Sequence, residues 1–483
     1  MLWPCCSNGL EAGSTSNYEE EKSMAVLRSL TIFLAVVVSL TQSYSQTSVV
    51  QRYDSLAREI VREALGSNRS YEMLYDLCTT IGHRISGSPQ AAKAVDWSKK
   101  KMEECGLDNV HLEQVMVPHW VRGPVEEAYL VRSSGRKEKL QITALGGSIG
   151  TPPEGIIAEL IEVKSFDELM RVRDKTKGKI VFFNRPMDRT QTSTFEAYGG
   201  AVDQRWAGAI MASHAGGVAA LVRSMTTRID DFPHTGSMGY VDTVRKVPSV
   251  AISTRKAEEI SKLLASGERL KLHLKLSTKT LPDAESSNVI GELTGTEKPG
   301  EVIVIGGHLD SWDIGQGAHD DGAGCVQSIE ALRILKKLGL KPKRTIRAVM
   351  FMNEENGLRG GIAYAAKDRP GEKHLAAIES DEGGFRPHGF GIGDSAAFRR
   401  IAPWAPLFSF FNADLFRFGG GGVDISPMGE KGIPLMSLIV DTERYFDSHH
   451  SDNDNLAAVN ERELALGAAA MAILTYVMAQ EGM

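Results

Sequence analysis

The carboxyl-terminal half of the chain repeats one pattern, in which a short apolar run is followed by a histidine or a carboxylate. Four such runs have the length and composition of buried strands, and they lie at 302–305, 346–352, 375–378 and 435–440. The segment 320–338 between the first two runs has apolar residues at helical spacing. Strands that alternate with helices predict an α/β fold with parallel strands.

Metal-binding residue types follow these runs. His308, the pair Glu354-Glu355, Asp381 and His450 each come after one run, and Asp320-Asp321 begins the intervening helix. The carboxyl ends of parallel strands meet at one edge of a sheet, so these side chains are expected to converge. Several carboxylates at one buried point need compensating positive charge, and histidine with carboxylate suits zinc. The sequence therefore predicts a metallohydrolase, with a set large enough for two ions.

Two aspartates near the histidines are candidate supporting residues. Asp310 lies two residues after His308, so in an extended segment both side chains point to one side. Asp310 is therefore predicted to fix the tautomer of His308 by contacting the ring nitrogen that does not bind metal. Asp454 lies four residues after His450 and is a candidate partner for that ring.

Spacing alone leaves three assignments open. Asp320-Asp321 also fits a helix N-cap, which needs no metal. Adjacent Glu354 and Glu355 point to opposite sides of a strand end, so one can bind metal while the other faces a substrate water. His449 competes with His450 for the ligand position.

Composition fits a globular enzyme. At 483 residues the chain is too long for one small core, so two domains are expected. The formal net charge of -6 gives no basic surface for nucleic acid, which is excluded as a partner class. Beyond the N-terminal stretch only Cys78, Cys105 and Cys325 remain, so at most one disulfide is expected.

Residues 1–45 are predicted to be an N-terminal extension and a secretory signal. The apolar run 30–40 follows Arg28, is short for a membrane span, and precedes small residues at alternate positions up to Ser45. Met24 is the more natural start for such a signal, and an uncleaved anchor is the alternative. Cleavage would leave a mature protein without a membrane span, in the extracellular space, the lysosome or another secretory compartment.

The remaining chain divides into three predicted parts. Residues 46–147 contain amphipathic helical patterns and the sequon at Asn68, which is either glycosylated or an unmodified surface loop. Residues 148–280 alternate short strands with helices and contain none of the metal candidates, so they are predicted to be an inserted, non-catalytic domain. Residues 281–483 carry the candidate metal site.

The order and spacing of these motifs resemble the dinuclear zinc exopeptidases of peptidase family M28, in particular their carboxypeptidase branch. The resemblance covers nearly everything after the signal. It is carried by the stretches 306–322, 343–345, 354–357, 379–381 and 449–451, and in the insert by 221–224 and 233–236. It implies a zinc-exopeptidase fold with a mixed, largely parallel central sheet flanked by helices. It also implies that the insert is a protease-associated α/β domain, that residue 46 begins a short propeptide, and that the chain forms a homodimer.

The resemblance assigns roles to the candidate residues. His308 and Asp381 would hold one Zn²⁺, Glu355 and His450 the other, and Asp320 would bridge both. Glu354 would be the general base that takes a proton from a zinc-activated water. A cis peptide bond is implied between Asp320 and Asp321.

The predicted substrate is a dipeptide or short peptide, hydrolysed by an exopeptidase. The glycine run 419–422 is a candidate pocket wall or a flexible surface loop, and Asp424 after it is a weak candidate for binding a substrate amine. An M28 aminopeptidase would share every metal ligand. A non-catalytic receptor or binding module on the same fold would bind no metal, and a single zinc would indicate a relative of the cyclotransferases.

Overall fold

The computed structural model describes residues 49–483, and the predicted signal sequence with the alternative start at Met24 lies outside them. The chain divides into two units, of which the first ends at Ser55 and the second runs from Leu56 to Met483. The described residues of the first unit, 49–55, are helical. The second unit contains all the strands of the described chain.

Helices open the second unit. Residues 56–67 form α1, and α2 (Arg69–Thr80) and α3 (Pro89–Glu104) follow. Ser88 starts α3, because its side chain accepts a hydrogen bond from the Ala91 N–H and so satisfies one of the free donors of the first turn. The chain then enters the long edge strand β1 (Asp108–Val121).

A smaller sheet comes next in the chain. Its eight strands are β2 (Glu126–Val131), β3 (Lys137–Leu140), β4 (Ile142–Ala144), β5 (Ile156–Val163), β6 (Ile180–Phe183), β7 (Ala219–Arg223), β8 (Ser249–Ile252) and β9 (Lys271–Leu276). Their order is β3-β2-β9-β5-β6-β7-β8-β4, with β5 to β8 parallel at the centre. The connecting helices are α4 (Phe166–Arg171), α5 (Thr194–Gly199), α6 (Asp203–His214) and α7 (Thr254–Ala265).

The smaller sheet begins before residue 148, where the inserted domain was expected to start. β2, β3 and β4 occupy 126–144, and β2 and β4 pair with β9 and β8. The sequence pattern assigned these short strands to the preceding part. Strands of the smaller sheet thus precede residue 148, and its last strand ends at Leu276, while the domain bounds 148 and 280 stay a prediction. The identification of this part as a protease-associated domain stays a prediction.

The larger sheet combines β1 with the carboxyl-terminal strands. These are β10 (Lys279–Leu293), β11 (Lys298–His308), β12 (Arg344–Phe351), β13 (Lys373–Glu379), β14 (Pro387–Ile392), β15 (Leu415–Phe418) and β16 (Leu435–Val440). The helices of this part are α8 (Ala323–Lys337), α9 (Arg359–Ala366), α10 (Ser395–Ile401), α11 (Ser426–Gly429), α12 (Tyr445–Ser448) and α13 (Glu461–Glu481). All four predicted strands are present, as β11, β12, β13 and β16.

The strand order of the larger sheet is β1-β10-β12-β11-β13-β16-β14-β15. The four central strands, from β12 to β16, are parallel, whereas the ladders β1–β10, β10–β12 and β14–β16 are antiparallel. The predicted fold class, α/β with a mixed, largely parallel central sheet flanked by helices, is confirmed. The carboxyl ends of four parallel strands consequently lie along one edge.

Helix α13 packs against α8 in the interior of the second unit. Among the described residues it is the one helix that is long and apolar enough to cross a membrane, yet 89% of its most apolar stretch is buried inside the protein. Such burial is typical of the core helix of a globular domain.

The three cysteines of the described chain are free thiols. Burial raises the pKa of the Cys78 thiol to about 12, and Cys325 is also buried. The one disulfide that the cysteine count allowed is therefore not formed among Cys78, Cys105 and Cys325.

Candidate metal centre

His308 is the last residue of β11 and is 1% exposed. Its Nδ1 lies 2.9 Å from the backbone carbonyl of Asp310, which can only accept, so Nδ1 carries the proton. In the neutral ring Nε2 then has a free lone pair. Nε2 lies 3.1 Å from both Asp320 Oδ1 and Asp381 Oδ1, two carboxylate oxygens that a cation would join to the ring.

Asp310 supports the site differently from the prediction. Its carboxylate is 3.9 Å from His308 Nδ1, too far for a hydrogen bond, and its backbone carbonyl holds the ring instead. The carboxylate accepts the backbone N–H groups of Asn353 and Glu354, at 2.7 and 3.1 Å. Asp310 therefore joins the ends of β11 and β12 and orients the segment that carries Glu354 and Glu355.

Asp320 lies between the two histidines. Its Oδ1 faces His308, and its Oδ2 lies 3.2 Å from His450 Nε2 without accepting a hydrogen bond. The peptide bond to Asp321 is cis, as the resemblance implied. Asp321 has the alternative role of a cap, because its Oδ1 accepts the Gly324 N–H at the start of α8.

Asp454 is not the partner of His450. Its carboxylate accepts the backbone N–H groups of three consecutive residues, Ala318, His319 and Asp320, at 2.7–3.2 Å. The predicted pairing is therefore wrong, because the loop folds back to the segment before α8 rather than along itself. Asp454 holds the backbone of Asp320 in place.

Glu355 and His450 form the second half of the cluster. Glu355 Oε2 lies 3.2 Å from His450 Nε2, and Glu355 Oε1 accepts the Trp312 N–H at 3.1 Å. His450 follows α12 in a left-handed conformation, φ 60°, and its carbonyl accepts the Thr235 N–H from the part of the chain that builds the smaller sheet. The loop that carries His450 is thus held by contacts with Glu355 on one side and with Thr235 on the other.

His449 lies behind His450 rather than beside the carboxylates. The two rings are stacked with centroids 3.5 Å apart, and His449 Nε2 is 3.9 Å from Asp320 Oδ2, compared with 3.2 Å for His450. Aromatic rings of Tyr198, Tyr445 and Phe446 surround His449. The distances favour His450 as the ligand.

Burial and mutual repulsion shift the pKa values of this cluster. Burial raises the pKa of Glu354 to about 8, and the charges of Asp381 and Asp320 act in the same direction. Burial also raises the pKa of Asp320, but its contacts with His308 and His450 outweigh this and bring it well below the usual range. Burial lowers the pKa of His308, but Asp381 and Asp320 raise it well above 6.5. Without bound cations the cluster therefore retains protons.

The side chains form groups that could hold a cation. In three overlapping groups the ligand atoms lie within 4.8 Å of one another, and the groups are His308–Asp321–Asp381, His308–Asp320–Glu355 and Asp320–His449–His450. Each oxygen of Asp320 faces a different histidine, and each histidine has its own second carboxylate. Asp320 Oδ2 is a buried carboxylate oxygen that accepts no hydrogen bond from the described residues, so its lone pairs are available to a cation. The donor set of imidazole and carboxylate suits zinc.

A cavity of about 460 Å³ opens on these side chains. Glu354, which is partly exposed, faces it together with Asp381 and Glu382. Gly421 and Gly422 form part of its wall, which agrees with the first of the two candidate roles of the glycine run. Asp424 does not line the cavity, because it is 0% exposed and lies beneath the loop. The candidate role of Asp424 in binding a substrate amine is therefore wrong.

Sequence reasoning missed the lining residues that the smaller-sheet part contributes to the cavity. Tyr198 and Arg205, from α5 and α6 of the smaller-sheet part, line it together with Phe195 and Ser237. No spacing rule identifies them, because their orientation depends on how the smaller sheet packs beside the larger one. The one available signal was a basic residue, Arg205, on a helix that is otherwise poor in charge.

Comparisons with known proteins agree with this geometry. Residues 288–476 match the profile of Peptidase family M28. Carboxypeptidase Q of Homo sapiens is 39% identical over 429 residues, covering 88% of this chain and 89% of that protein, and carboxypeptidase Q of Bos taurus is 38% identical over 435 residues, covering 89% and 90%. The crystal structure of a peptidase M28 precursor from Shewanella amazonensis SB2B superposes with a TM-score of 0.84 at 33% identity, covering 90% of this chain and 98% of that one.

A zinc aminopeptidase from Bacillus subtilis shares the fold, with a TM-score of 0.62 at 21% identity, over 85% of this chain and 95% of that one. The similarity to carboxypeptidase Q extends over almost nine tenths of the chain and includes both sheets. The chain is therefore a metallopeptidase and belongs to peptidase family M28.

Proposed function

We propose that this chain is a two-zinc exopeptidase that hydrolyses the peptide bonds of dipeptides and short peptides, with Glu354 as its general base. The observation that carries the proposal is the arrangement around Asp320. One of its oxygens faces His308 and the other faces His450, and each histidine has a carboxylate of its own, Asp381 and Glu355. His308 and Asp381 would hold one cation and Glu355 and His450 another, each with an oxygen of Asp320, and these cations would balance the buried negative charge.

Bound zinc would supply a Lewis acid for the peptide carbonyl and a water of lowered pKa. The chain itself supplies the proton transfer. The Glu354 carboxylate faces the cavity, outside the ligand groups, so it can accept a proton from the attacking water and return it to the leaving amine. With its pKa at about 8 in the metal-free chain, it is a base at neutral pH only when positive charge compensates the neighbouring carboxylates.

Backbone hydrogen bonds hold Glu354 and its neighbours before substrate arrives. Asp310 accepts the Glu354 N–H, and Asp454 accepts the Asp320 N–H. A base whose segment is fixed in this way needs little reorganisation in the transition state. Mutations at these two supporting aspartates should therefore affect turnover, although neither side chain reaches the substrate.

The shape of the cavity and the comparisons support a small peptide substrate. A volume of about 460 Å³ lies in the lower half of the range of small-molecule sites. The relatives that cover most of the chain bear the name carboxypeptidase, which indicates peptides with a free carboxyl end. The apolar run 30–40 with small residues after it supports export through the secretory pathway.

A dipeptide-library assay with purified protein tests this function. We expect zinc-dependent release of free amino acids that a chelator abolishes and added zinc restores. Glu354→Gln should be assayed beside the wild type, since it keeps the ligands and removes the base. Activity that persists at full rate after complete removal of metal would contradict the proposal.

A further inference from the structure

A fully buried arginine, in the loop 81–88 between α2 and α3, contacts the segment that joins two candidate metal ligands. Arg84 is 0% exposed, and it is not among the side chains that line the cavity of the site. It forms no ion pair with a carboxylate of the described chain. A buried guanidinium is costly unless hydrogen bonds compensate its charge, so the acceptors around it indicate what it holds in place.

Backbone carbonyl groups take the place of an anion. The Arg84 guanidinium donates to three carbonyl groups of the segment 309–317, at 2.6, 2.9 and 2.9 Å, and these belong to Leu309, Gln316 and Gly317. A fourth acceptor, the carbonyl of Gly82, lies in its own loop at 3.3 Å. The three acceptors lie at both ends of the segment that leads from His308 to Asp320. One side chain therefore fixes the connection between a candidate histidine ligand and the candidate bridging carboxylate.

The backbone of this segment approaches the guanidinium closely. A Cβ atom at Gly317 would lie 2.7 Å from Arg84 Nη1, and Gly317 has φ +59°, a conformation that favours glycine. At Gly322, just before α8, a Cβ atom would lie 3.3 Å from Arg84 Nη2. Side chains at these two positions would displace the guanidinium, so the segment is shaped around Arg84.

Arg84 and Asp454 hold successive peptide groups of the same loop. The carbonyl groups of residues 316 and 317 accept from Arg84, whereas the N–H groups of the next three residues, 318–320, donate to the Asp454 carboxylate. A cation on carbonyl oxygens and an anion on N–H groups match the polarity of the peptide unit, and such charge-assisted hydrogen bonds are the strong ones. Together they fix the backbone that carries Asp320.

The same loop also contacts the segment that carries the proposed base. Ser86 is 0% exposed, and its Oγ donates to Asn356 Oδ1 at 2.8 Å and accepts from Asn353 Nδ2 at 2.9 Å. These two asparagines flank the pair Glu354-Glu355. The loop between α2 and α3 therefore contacts both segments that carry candidate ligands after β11 and β12.

We propose that Arg84 is a positioning residue of the metal centre, which fixes the segment between His308 and Asp320 so that both donors are in place before a cation binds. The proposal rests on the proposed function, because it concerns the same two-ion site. It extends the support of that site to the loop between α2 and α3, outside the residues 288–476 that match the family profile.

A purely structural role is the competing explanation. Replacing an arginine that only stabilises the fold would lower the free energy of unfolding and leave the zinc affinity and kcat of the folded protein unchanged. Loss of a positioning residue would weaken zinc binding in protein that is still folded.

Arg344 provides the matched control. It is 9% exposed and also donates to backbone carbonyl groups, those of Ala479 and Gln480, at 3.0 and 3.3 Å, beside an ion pair with Glu301. Arg344 is the first residue of β12, whereas Glu354 follows the other end of that strand. Its replacement therefore disturbs a buried arginine of the same sheet at a distance from the metal centre.

The experiment measures zinc affinity by chelator competition, and stability by urea unfolding, for wild type, Arg84→Lys, Arg84→Met and Arg344→Lys. We expect zinc affinity to fall about tenfold in Arg84→Lys, which keeps the charge without the planar fork, and about 100-fold in Arg84→Met. Arg344→Lys should bind zinc within about threefold of the wild type, even where its stability is lower. With saturating zinc, Arg84→Lys should lose about tenfold in kcat on a dipeptide with KM unchanged, because the side chain does not line the cavity.

The control and a metal-free measurement separate the possible failures. Zinc affinity of Arg84→Lys equal to that of the wild type, or an equal loss in Arg344→Lys, would overturn the positioning role, and Arg84→Lys decides alone if Arg84→Met does not fold. If the wild type binds no zinc, the proposed function fails, and hydrogen exchange of the metal-free protein still tests Arg84. Faster exchange of the amides of 318–320 in Arg84→Lys than in Arg344→Lys would support the role, and equal exchange would overturn it.

Discussion

The larger sheet brings its polar side chains to the cavity on strand ends, whereas the smaller-sheet part reaches the same cavity with two helices. His308 ends β11, and Glu354 and Glu355 follow β12. Tyr198 and Arg205 come from α5 and α6. The strand-end groups are mostly acids at close range to two histidines, and the helix-borne groups are a phenol and the guanidinium that donates to it.

This difference separates two tasks within one site. The strand ends of a parallel sheet are rigid and meet at one edge, so they suit ligands that must keep fixed distances. The helices of the neighbouring layer line the same cavity and carry none of the candidate metal ligands, so they suit substrate selection. The comparison predicts that changes at the strand ends affect metal or chemistry, and that changes at α5 and α6 affect substrate choice.

The largest expected effect is at the base. Glu354→Gln should keep the bound metal and lose roughly 10²- to 10⁴-fold in kcat, because the amide cannot accept the proton. Steady-state kinetics on a dipeptide, with metal analysis of the same sample, provides the measurement. Glu297→Gln, at a 58%-exposed side chain paired with Lys343, is the matched control and should behave as wild type. Near-normal turnover of Glu354→Gln would show that the base is another group.

The next largest effect is expected on metal affinity, at the neighbouring histidines His449 and His450. His450→Ala should weaken metal binding by about 100-fold or more, because one ligand is lost. His449→Ala should retain the metal, since this ring stacks behind His450 and lies 3.9 Å from Asp320. Competition with a chromogenic chelator measures both affinities. If His449→Ala lost the metal and His450→Ala retained it, His449 would be the ligand and His450 the ring stacked behind it.

A smaller effect is expected at Asp454, whose carboxylate accepts three backbone N–H groups of the segment that carries Asp320. Asp454→Asn removes part of this acceptor capacity and should reduce metal affinity or kcat about 10- to 100-fold. If Asp454 instead paired with His450, the variant would behave like a ligand mutant. Metal affinity measured beside that of His450→Ala distinguishes the two outcomes.

More of the site could be predicted from sequence for the larger sheet than for the smaller-sheet part. The strands β11, β12, β13 and β16 and the acid and histidine residues after them follow from apolar runs of strand length. The role of Asp310 could not be derived, because alternation places its carboxylate near His308, whereas the chain turns there and the backbone carbonyl makes that contact. Asp454 was paired with a residue near in sequence, but its partners are more than 130 residues away.

The cavity wall formed by the smaller-sheet part lay beyond sequence reasoning. The contact between Arg205 and Tyr198 joins α5 to α6 locally, but the approach of both to His450 depends on packing between layers. A local pattern contains no information about that approach. The strands of the smaller sheet before residue 148 lay beyond the pattern for a related reason, since β2 finds its partner β9 far along the chain.

The smallest effect concerns pH. Metal-free protein should lose stability as the pH rises from 7 to 9. Burial raises the pKa of Glu354 to about 8 and that of Glu355 well above its usual range, so the folded chain holds protons that the unfolded chain has released, and stability falls with rising pH. Buried histidines of lowered pKa, such as His234, are largely neutral in both states above pH 7 and do not oppose this.

Each retained proton contributes a slope of about 1.4 kcal/mol per pH unit. Urea unfolding of chelator-treated protein at several pH values measures it. Zinc-loaded protein should show a flatter dependence, because bound cations replace the protons. Equal slopes with and without zinc would show that the acid cluster does not hold the metal.

The most direct test of the two-ion centre is a metal count on purified, active protein by mass spectrometry. We expect about two zinc ions per chain, since each half of the Asp320 cluster has its own histidine and carboxylate. Asp320→Ala should reduce the content of both ions, whereas Glu354→Gln should leave it unchanged. A stoichiometry of one zinc per chain in fully active protein, or none, would contradict the bridged pair.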